Sequence, residues 1–175
     1  LVARGDAPDA PDDALLDEIE QEVHPSDNAV VIYTSGSTSL PKAVVHCQRT
    51  LAIHIHALAA AFLLRDTERL MPLLPLFWVG GLTIALEMLM IGGVLVYPDS
   101  PATEVVLDTM EKFRVNRINT WGPQLGRLRD AAIARGIDVD KIGGFAPIRD
   151  EAGNLIPPHL IANMLGMTES FGPHS

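Results

Sequence analysis

The sequence predicts an α/β fold in which a largely parallel sheet is flanked by helices. Short apolar, β-branched runs alternate along residues 28–136 with longer segments of helical pattern, and this alternation is typical of parallel sheets. The chain is also apolar enough to bury a core, since 47% of its residues are hydrophobic. Its 13 prolines and 14 glycines fit many short elements joined by turns. A chain of 175 residues forms one domain or part of one.

The first segment, residues 1–27, is an acidic leader. It contains nine acidic residues and one basic residue, a net charge of −8, whereas residues 28–175 carry a net charge of −1. Within the leader, residues 12–22 predict a short acidic helix that Asp12 can cap. An acidic chain without basic patches argues against nucleic-acid binding.

The remaining elements follow from the hydrophobic pattern and from the turn residues. Residues 29–34 (AVVIYT) predict a buried strand, residues 43–46 a returning strand, and residues 47–64 a mostly buried helix. The rest of the alternation is predicted as a strand near 69–74, a helix near 80–91, a strand at 93–97, a helix near 101–113, a strand at 115–120 and a helix at 122–135 that ends at Gly136.

The most apolar stretch, residues 70–98, is predicted to be part of the core rather than a membrane span. It is long enough to cross a bilayer and contains one charge, Glu87. However, Pro72, Pro75 and two Gly-Gly pairs interrupt it, and a central carboxylate would cost roughly 2.5–3.5 kcal/mol in a bilayer. We therefore expect no transmembrane span. The single cysteine, Cys47, permits no internal disulfide and fits a reducing compartment, so we expect a cytoplasmic protein.

A polar turn after the first strand carries the first chemical motif. Residues 34–42 (TSGSTSLPK) combine several hydroxyl side chains with Gly36 and Lys42. Hydroxyls and free backbone N–H groups in a tight turn can bind phosphate oxygens, and a lysine adds a positive charge for the same ligand. The spacing differs from the common G-x-x-x-x-G-K-[ST] nucleotide loop. A polar turn that only caps the strand is the alternative.

The second motif lies at residues 165–172 (LGMTESFG). Here a hydroxyl residue, Thr168, stands beside a carboxylate, Glu169, with glycines on both sides. Such a pair can offer one oxygen to a phosphate and another to Mg²⁺, which prefers oxygen ligands. On its own the stretch also fits an ordinary polar loop.

Taken together and in this order, the motifs resemble those of the adenylate-forming, or AMP-binding, superfamily, which includes acyl-CoA synthetases, luciferases and peptide-synthetase adenylation domains. YTSGSTSLPKA resembles the family signature [YF]-T-S-G-[ST]-T-G-x-P-K-G, with Ser39 and Ala43 in place of glycines. LGMTE resembles Y-G-M-T-E, with Leu165 in place of the aromatic residue. Between them, PLFWVGG resembles P-L-F-H-x-x-G, with Trp78 in place of histidine, and GGFAP resembles a G-G-A-P loop.

The resemblance implies a reaction and a set of residues. Members of the family use ATP to convert a carboxylic acid into an acyl-adenylate and pyrophosphate, and many then pass the acyl group to coenzyme A. By this resemblance the catalytic residues would be Lys42, Thr168 and Glu169. The Mg²⁺ ligands would be Thr34 and Glu169. The residues that would bind ATP are Thr34, Ser35, Gly36, Ser37, Thr38, Lys42, Gly143, Gly144, Ala146, Pro147, Gly166 and Thr168. Those that would border the acyl pocket are Trp78, Val79 and Gly81.

The resemblance also implies a domain organisation. Residues 28–175 would form part of the family's large N-terminal domain, the AMP-binding or adenylation domain, following the leader at residues 1–27. The family's ribose-binding aspartate and the small C-terminal domain with its catalytic lysine would lie outside this chain. We therefore expect that residues 1–175 alone do not complete adenylation.

The segment around Trp78 indicates the class of acid. It is apolar and has no cationic residue nearby, which suits a hydrophobic carboxylate, either fatty or aromatic/alicyclic, and so favours an acyl-CoA ligase. An amino acid would need a buried aspartate for its ammonium group. One alternative is a fatty acyl-AMP ligase or a carrier-loading adenylation domain. Another is a non-catalytic nucleotide-binding or scaffold fragment. The replacement of signature glycines by Ser39 and Ala43, and of the signature aromatic residue by Leu165, favours this last alternative. The sequence leaves open whether the protein forms a homodimer.

Overall fold

The computed structural model describes residues 12–35, 40–120, 122–145, 152, 154 and 165–174. Each predicted helix and strand is present within three residues of its predicted bounds. In chain order the elements are α1 (Asp13–Glu22), β1 (Asn28–Thr34), β2 (Lys42–Cys47), α2 (Gln48–Ala61), β3 (Arg69–Pro72), α3 (Val79–Met90), β4 (Val94–Leu95), α4 (Thr103–Phe113), β5 (Arg117–Asn119), α5 (Gly122–Ala134), a 3₁₀ turn (Val139–Lys141), β6 (Leu165–Met167), a second 3₁₀ turn (Thr168–Ser170) and β7 (Gly172–His174).

The centre of the fold is a three-stranded parallel sheet in the order β4–β3–β5, with α3 and α4 as its crossovers. Leu70 and Met71 on the central strand are both fully buried, because successive side chains of a strand point to opposite faces and helices cover both faces here. Leu70 packs with Ile84 and Met88 of α3, whereas Met71 belongs to the cluster that contains Leu107 of α4. The predicted parallel sheet with flanking helices is confirmed.

The first two strands form a separate antiparallel pair, and their burial differs from the prediction. In β1 only Ile32 is buried, whereas Val31 and Tyr33 are 47% and 70% exposed, so the prediction of a buried strand was wrong. Helix α2 was also predicted to be mostly buried, but only Ile55 and two other residues of this helix are. Both elements bury one face, because none of the described residues covers the other.

Helix α1 has the predicted cap. The side chain of Asp12 accepts a hydrogen bond from the backbone N–H of Leu15 at 2.7 Å, which satisfies one of the free donors at the start of the helix. No residue of α1 is buried. The helix therefore depends on local interactions within the leader.

Helix α5 ends just before Gly136, as predicted, and this ending returns the chain to the core. Gly136 adopts a φ of +80°, a left-handed conformation that favours glycine. The N–H groups of Gly136 and Ile137 bond to the carbonyl groups of Ile133 and Ala132, each at 2.9 Å, which is the Schellman arrangement. Ile137 then packs against the core.

Glu87 is a buried charge within the apolar helix α3. Its side chain is 1% exposed, and its Oε2 atom has no hydrogen-bond partner among the described residues. Because burial disfavours the charged form, the pKa of Glu87 rises to about 7. No helix in the described part of the chain has the length and apolar character needed to cross a membrane.

Candidate active site

A cavity of about 320 Å³ lies where three segments meet. These are the first hairpin (β1 and β2), the start of α3, and the second hairpin (β6, the 3₁₀ turn and β7). The cavity is lined by Ile32, Tyr33, Thr34, Ser35, Phe77, Trp78, Val79, Gly80 and Thr168. The fold thus brings Thr34, Ser35, Trp78, Val79 and Thr168, all predicted site residues, around one cavity.

The first hairpin places Thr34 beside Lys42. The two residues are direct partners in the antiparallel register, at the end of the hairpin where the polar turn begins. Because side chains alternate along a strand, both lie on the face that carries the buried residues Ile32 and His46. Lys42 is exposed, and the ion pairs found among the described residues do not include it. Its ammonium group is therefore available to an anion.

The second hairpin presents the Thr168–Glu169 pair on a tight turn. Met167 pairs with Gly172 across the turn, and the hydroxyl of Ser170 lies 2.8 Å from the Gly172 carbonyl oxygen. This local bonding holds Thr168 half-buried at the cavity and Glu169 in solvent. Gly166 lies on the adjoining strand β6.

The start of α3 supplies the apolar wall of the cavity. Trp78 is the residue before the helix, its ring is 51% exposed, and it makes an edge-to-face contact with Phe77 at 6.2 Å between ring centroids. Gly81, also predicted to border the acyl pocket, is buried away from the cavity lining. A Cβ atom there would lie 2.2 Å from the carbonyl oxygen of Pro75, so Gly81 allows the helix to approach the preceding loop.

Gly143 and Gly144 extend the parallel sheet instead of lining this cavity. The carbonyl of Gly143 accepts a hydrogen bond from the N–H of Ile118 at 2.8 Å, which pairs Gly143 with the edge of β5. Gly144 has a φ of +92°, and a Cβ atom there would lie 2.2 Å from the Ile118 carbonyl oxygen. Gly143 lines a different cavity, of about 450 Å³, together with Glu68 and Arg117. Glu68 and Arg117 form a two-pronged ion pair at 2.6 and 2.7 Å.

Several predicted site residues cannot be placed. Gly36, Ser37, Thr38, Ala146 and Pro147 lie outside the described residues. The polar turn at residues 34–42 is therefore described up to Ser35 and again from Leu40, and the GGFAP stretch is described as far as Phe145.

The oxygen atoms of Thr34 and Glu169 are of the kind that Mg²⁺ prefers. Thr34 lines the cavity, and Glu169 follows Thr168, which lines it too. Within the described ranges there is no cluster of three or more His, Cys, Asp or Glu residues that could hold a metal without other ligands.

Two residues outside the predicted site connect the two hairpins. The Nε2 atom of His46 bonds to the carbonyl oxygen of Thr168, and Phe171 packs against the His46 ring. The two-residue period of β2 could have indicated that His46 faces the same side as Lys42. No sequence signal identified its partner, which lies 122 residues further along the chain.

Comparison with known proteins identifies the family to which this sequence is similar. The sequence matches the model of the AMP-binding enzyme family over residues 2–175. It is 36% identical over 93 residues to the long-chain-fatty-acid–CoA ligase FadD13 of Mycobacterium tuberculosis, a match that covers 53% of this chain and 18% of the relative. It is 28% identical over 162 residues to a linear gramicidin synthase of Brevibacillus parabrevis, covering 90% of this chain and 3% of the relative.

The fold is likewise shared with solved structures. The chain superimposes on the inhibitor-bound N-terminal domain of FACL13 from Mycobacterium tuberculosis with a TM-score of 0.63 and 26% identity, covering 79% of this chain and 33% of that one. The chain spans less than a quarter of the length of the curated relatives it matches. Because the family model covers residues 2–175, the chain belongs to the AMP-binding enzyme family.

Proposed function

We propose that the protein uses Mg-ATP to activate a hydrophobic carboxylic acid as an acyl-adenylate and then transfers the acyl group to coenzyme A. The observation that carries this proposal is the cavity wall that combines the hydroxyls of Thr34, Ser35 and Thr168 with the apolar side chains of Trp78 and Val79. Hydroxyl groups suit phosphate oxygens, and an apolar wall suits an acyl group. The relatives named as CoA ligases support the same reaction class.

The proposed reaction takes place in two balanced steps. First, a carboxylate oxygen of the acid bonds to the α-phosphorus of ATP, and the bond from that phosphorus to the bridging oxygen breaks, so pyrophosphate leaves. Second, the sulfur of coenzyme A, having lost its proton, bonds to the acyl carbon. The carbon–oxygen bond to AMP then breaks and AMP leaves with the electron pair.

The first step brings two anions together, so the protein's contribution is positioning and charge stabilisation. Lys42, which is exposed and opposite Thr34, would offset the charge of the outer phosphates. Gly36, Ser37 and Thr38 would complete the same phosphate turn. Thr168 would contact the α-phosphate from the other side of the cavity.

Thr34 and Glu169 would hold Mg²⁺, which when bound shields the phosphate charges and polarises the attacked phosphorus. Glu169 is exposed, so its carboxylate can reach a ligand without the cost of burying a charge. The adenine would lie against the segment that contains Gly143, Gly144, Ala146 and Pro147, and Gly166 of the second hairpin would also contribute to the ATP site.

The cavity wall favours a hydrophobic acid over an amino acid. None of the described residues that line it is charged, and two of them, Phe77 and Trp78, are large aromatic residues beside Val79. The ammonium group of an amino acid would need a carboxylate at this wall. We therefore favour a fatty, aromatic or alicyclic acid.

The test is ATP–pyrophosphate exchange by the full-length protein, measured with a fatty acid, an aromatic acid, an alicyclic acid and leucine. We expect exchange with one or more of the hydrophobic acids, and thioester formation when coenzyme A is added. Exchange with leucine alone would favour a carrier-loading adenylation domain and overturn the proposed acid class. Adenylate formation without transfer to coenzyme A would overturn the second step. A protein that binds no Mg-ATP in calorimetry would contradict the whole proposal.

A further inference from the structure

The carbonyl oxygen of Thr168 accepts two hydrogen bonds. One comes from the backbone N–H of Phe171 at 3.1 Å and closes the 3₁₀ turn. The other involves Nε2 of His46 at 2.8 Å. Because a carbonyl oxygen can only accept, this Nε2 carries a proton and donates it. The second bond joins the Thr168–Glu169 turn to a strand of the other hairpin.

His46 is placed for this bond by strand β2. It is buried, it is paired with Val30 in the antiparallel register, and it shares the inner face of the hairpin with Lys42. Lys42 in turn is paired with Thr34. One short strand therefore carries both the lysine proposed to meet the phosphates and the histidine that holds Thr168.

Phe171 anchors the Thr168–Ser170 turn, which accepts the bond from His46. Its ring is 0% exposed, lies 4.9 Å edge-on from the His46 ring, and packs in a cluster with Ile32 and Ile55. Phe171 has a φ of +58°, a left-handed conformation that L side chains rarely adopt. Such strain persists when the surrounding packing fixes it, and it is common at functional sites.

Helix α3 contacts the same turn. The hydroxyl of Thr83 lies 3.5 Å from the carbonyl oxygen of Phe171, and a Cβ atom on Gly172 would lie 3.3 Å from that hydroxyl. The turn is thus held between the first hairpin and α3. Among the described residues, His46 is the side chain outside the second hairpin that bonds to the backbone of Thr168 itself.

We infer that His46 is a positioning residue, which fixes Thr168 and Glu169 relative to Thr34 and Lys42 by donating from Nε2 to the Thr168 carbonyl. This inference rests on the proposed adenylation, because its consequence is the correct placement of the groups that meet the α-phosphate and Mg²⁺. His46 acts through Thr168 and does not itself touch the substrates.

The test uses three substitutions in the full-length protein. His46→Phe keeps an aromatic ring beside Phe171 but removes the donor. His46→Gln keeps an N–H donor at about the same reach as Nε2. His54→Leu is the matched control, since the His54 ring also faces Phe171, at 6.4 Å between centroids, but its Nε2 has no partner among the described residues.

We expect His46→Phe to lower kcat of acid-dependent pyrophosphate exchange about tenfold, as for the loss of one positioning hydrogen bond. The KM for the acid should stay within about twofold, because His46 is not among the residues that line the cavity. His46→Gln should recover most of the rate, and His54→Leu should keep it. A role in packing alone would show no kcat loss in His46→Phe beyond that in His54→Leu. That result, or a His46→Gln variant as slow as His46→Phe, would overturn the inference.

A second measurement separates this inference from the proposed function. If none of the acids tested supports pyrophosphate exchange by the wild-type protein, the proposed function fails. His46 is then judged by amide hydrogen exchange of Phe171, whose N–H shares the Thr168 carbonyl with His46. Faster exchange in His46→Phe than in His54→Leu supports the positioning role, and equal exchange overturns it.

Discussion

The parallel sheet with the helices that pack on it, here called the body, differs from the two hairpins in how its side chains are buried. In the body, both faces of β3 are covered and residues such as Leu70 and Met71 are fully enclosed. In the first hairpin one face packs inward through Ile32 and His46, while the other face is exposed at Val31 and Tyr33. The residues proposed to bind ATP and Mg²⁺ lie mainly on these half-covered hairpins.

This difference suggests that the body stabilises the fold and that the hairpins carry the proposed functional groups. Most of the buried apolar residues among those the structure describes lie in the body, so we expect the body to contribute most of the hydrophobic stabilisation. Functional groups are commonly carried by loops and turns on such a rigid scaffold. Two glutamates make the comparison testable, because Glu87 is buried in the body and Glu169 is exposed at the second hairpin.

The largest expected effect is on stability, from Glu87→Gln. The folded-state pKa of Glu87 is about 7, above its ordinary value of 4.5. The folded protein therefore binds this proton more tightly than the unfolded chain, and its free energy of unfolding falls as pH rises from 4.5 through 7. The full loss is about 3 kcal/mol. Glu87→Gln should remove this pH dependence and stabilise the protein at pH values above this range.

The measurement is urea unfolding of the wild-type protein and the Glu87→Gln variant across this pH range. The stability difference between them should grow with pH, while the pyrophosphate-exchange activity of the variant remains that of wild type. Parallel pH profiles for the two proteins would show that Glu87 does not carry the linked proton.

The second prediction is the matching substitution at the second hairpin, Glu169→Gln. Because Glu169 is proposed to hold Mg²⁺, its loss should slow Mg-dependent adenylation by at least tenfold, about 1.4 kcal/mol of transition-state stabilisation. The side chain is exposed, so the urea midpoint should not move. Kinetics of pyrophosphate exchange at several Mg²⁺ concentrations make the test, and an unchanged rate would remove Glu169 from the site.

The body was largely predictable from the sequence, whereas the burial of the hairpins was not. A short apolar run such as the one around Leu70 is interpreted in the same way whether one face or both are covered, and here helices cover both faces of the strand. The equally apolar run of β1 lies in a two-stranded hairpin, so the same pattern predicted too much burial at Val31 and Tyr33. The hydrophobic pattern predicts the kind of element, but it does not predict which neighbours pack against that element.

The site was predictable to the extent that motifs name its residues. Thr34 and Trp78 line one cavity with Thr168, whereas the ligands that these residues bind stay a prediction. Gly81 is not among the residues that line this cavity, and it allows a close approach of the backbone to Pro75. The contact from His46 to Thr168 joins positions 122 residues apart. No local pattern encodes a contact at that separation, since it depends on how the two hairpins pack.

The smallest predicted effect tests whether the comparison needs a third region, the helix α1. Asp12→Ala removes the cap on the Leu15 N–H, which is worth about 1 kcal/mol to a helix. Because no residue of α1 is buried, this loss should lower the helicity of residues 13–22 without moving the urea midpoint of the body or the rate at the hairpins. Asp17→Ala, which removes a charge from the same helix but no cap, is the control. Amide hydrogen exchange of residues 15–22 should speed up in Asp12→Ala and little in Asp17→Ala. A lower urea midpoint in Asp12→Ala alone would mean that α1 is coupled to the body, and stability could no longer be attributed to the parallel sheet and its helices without it.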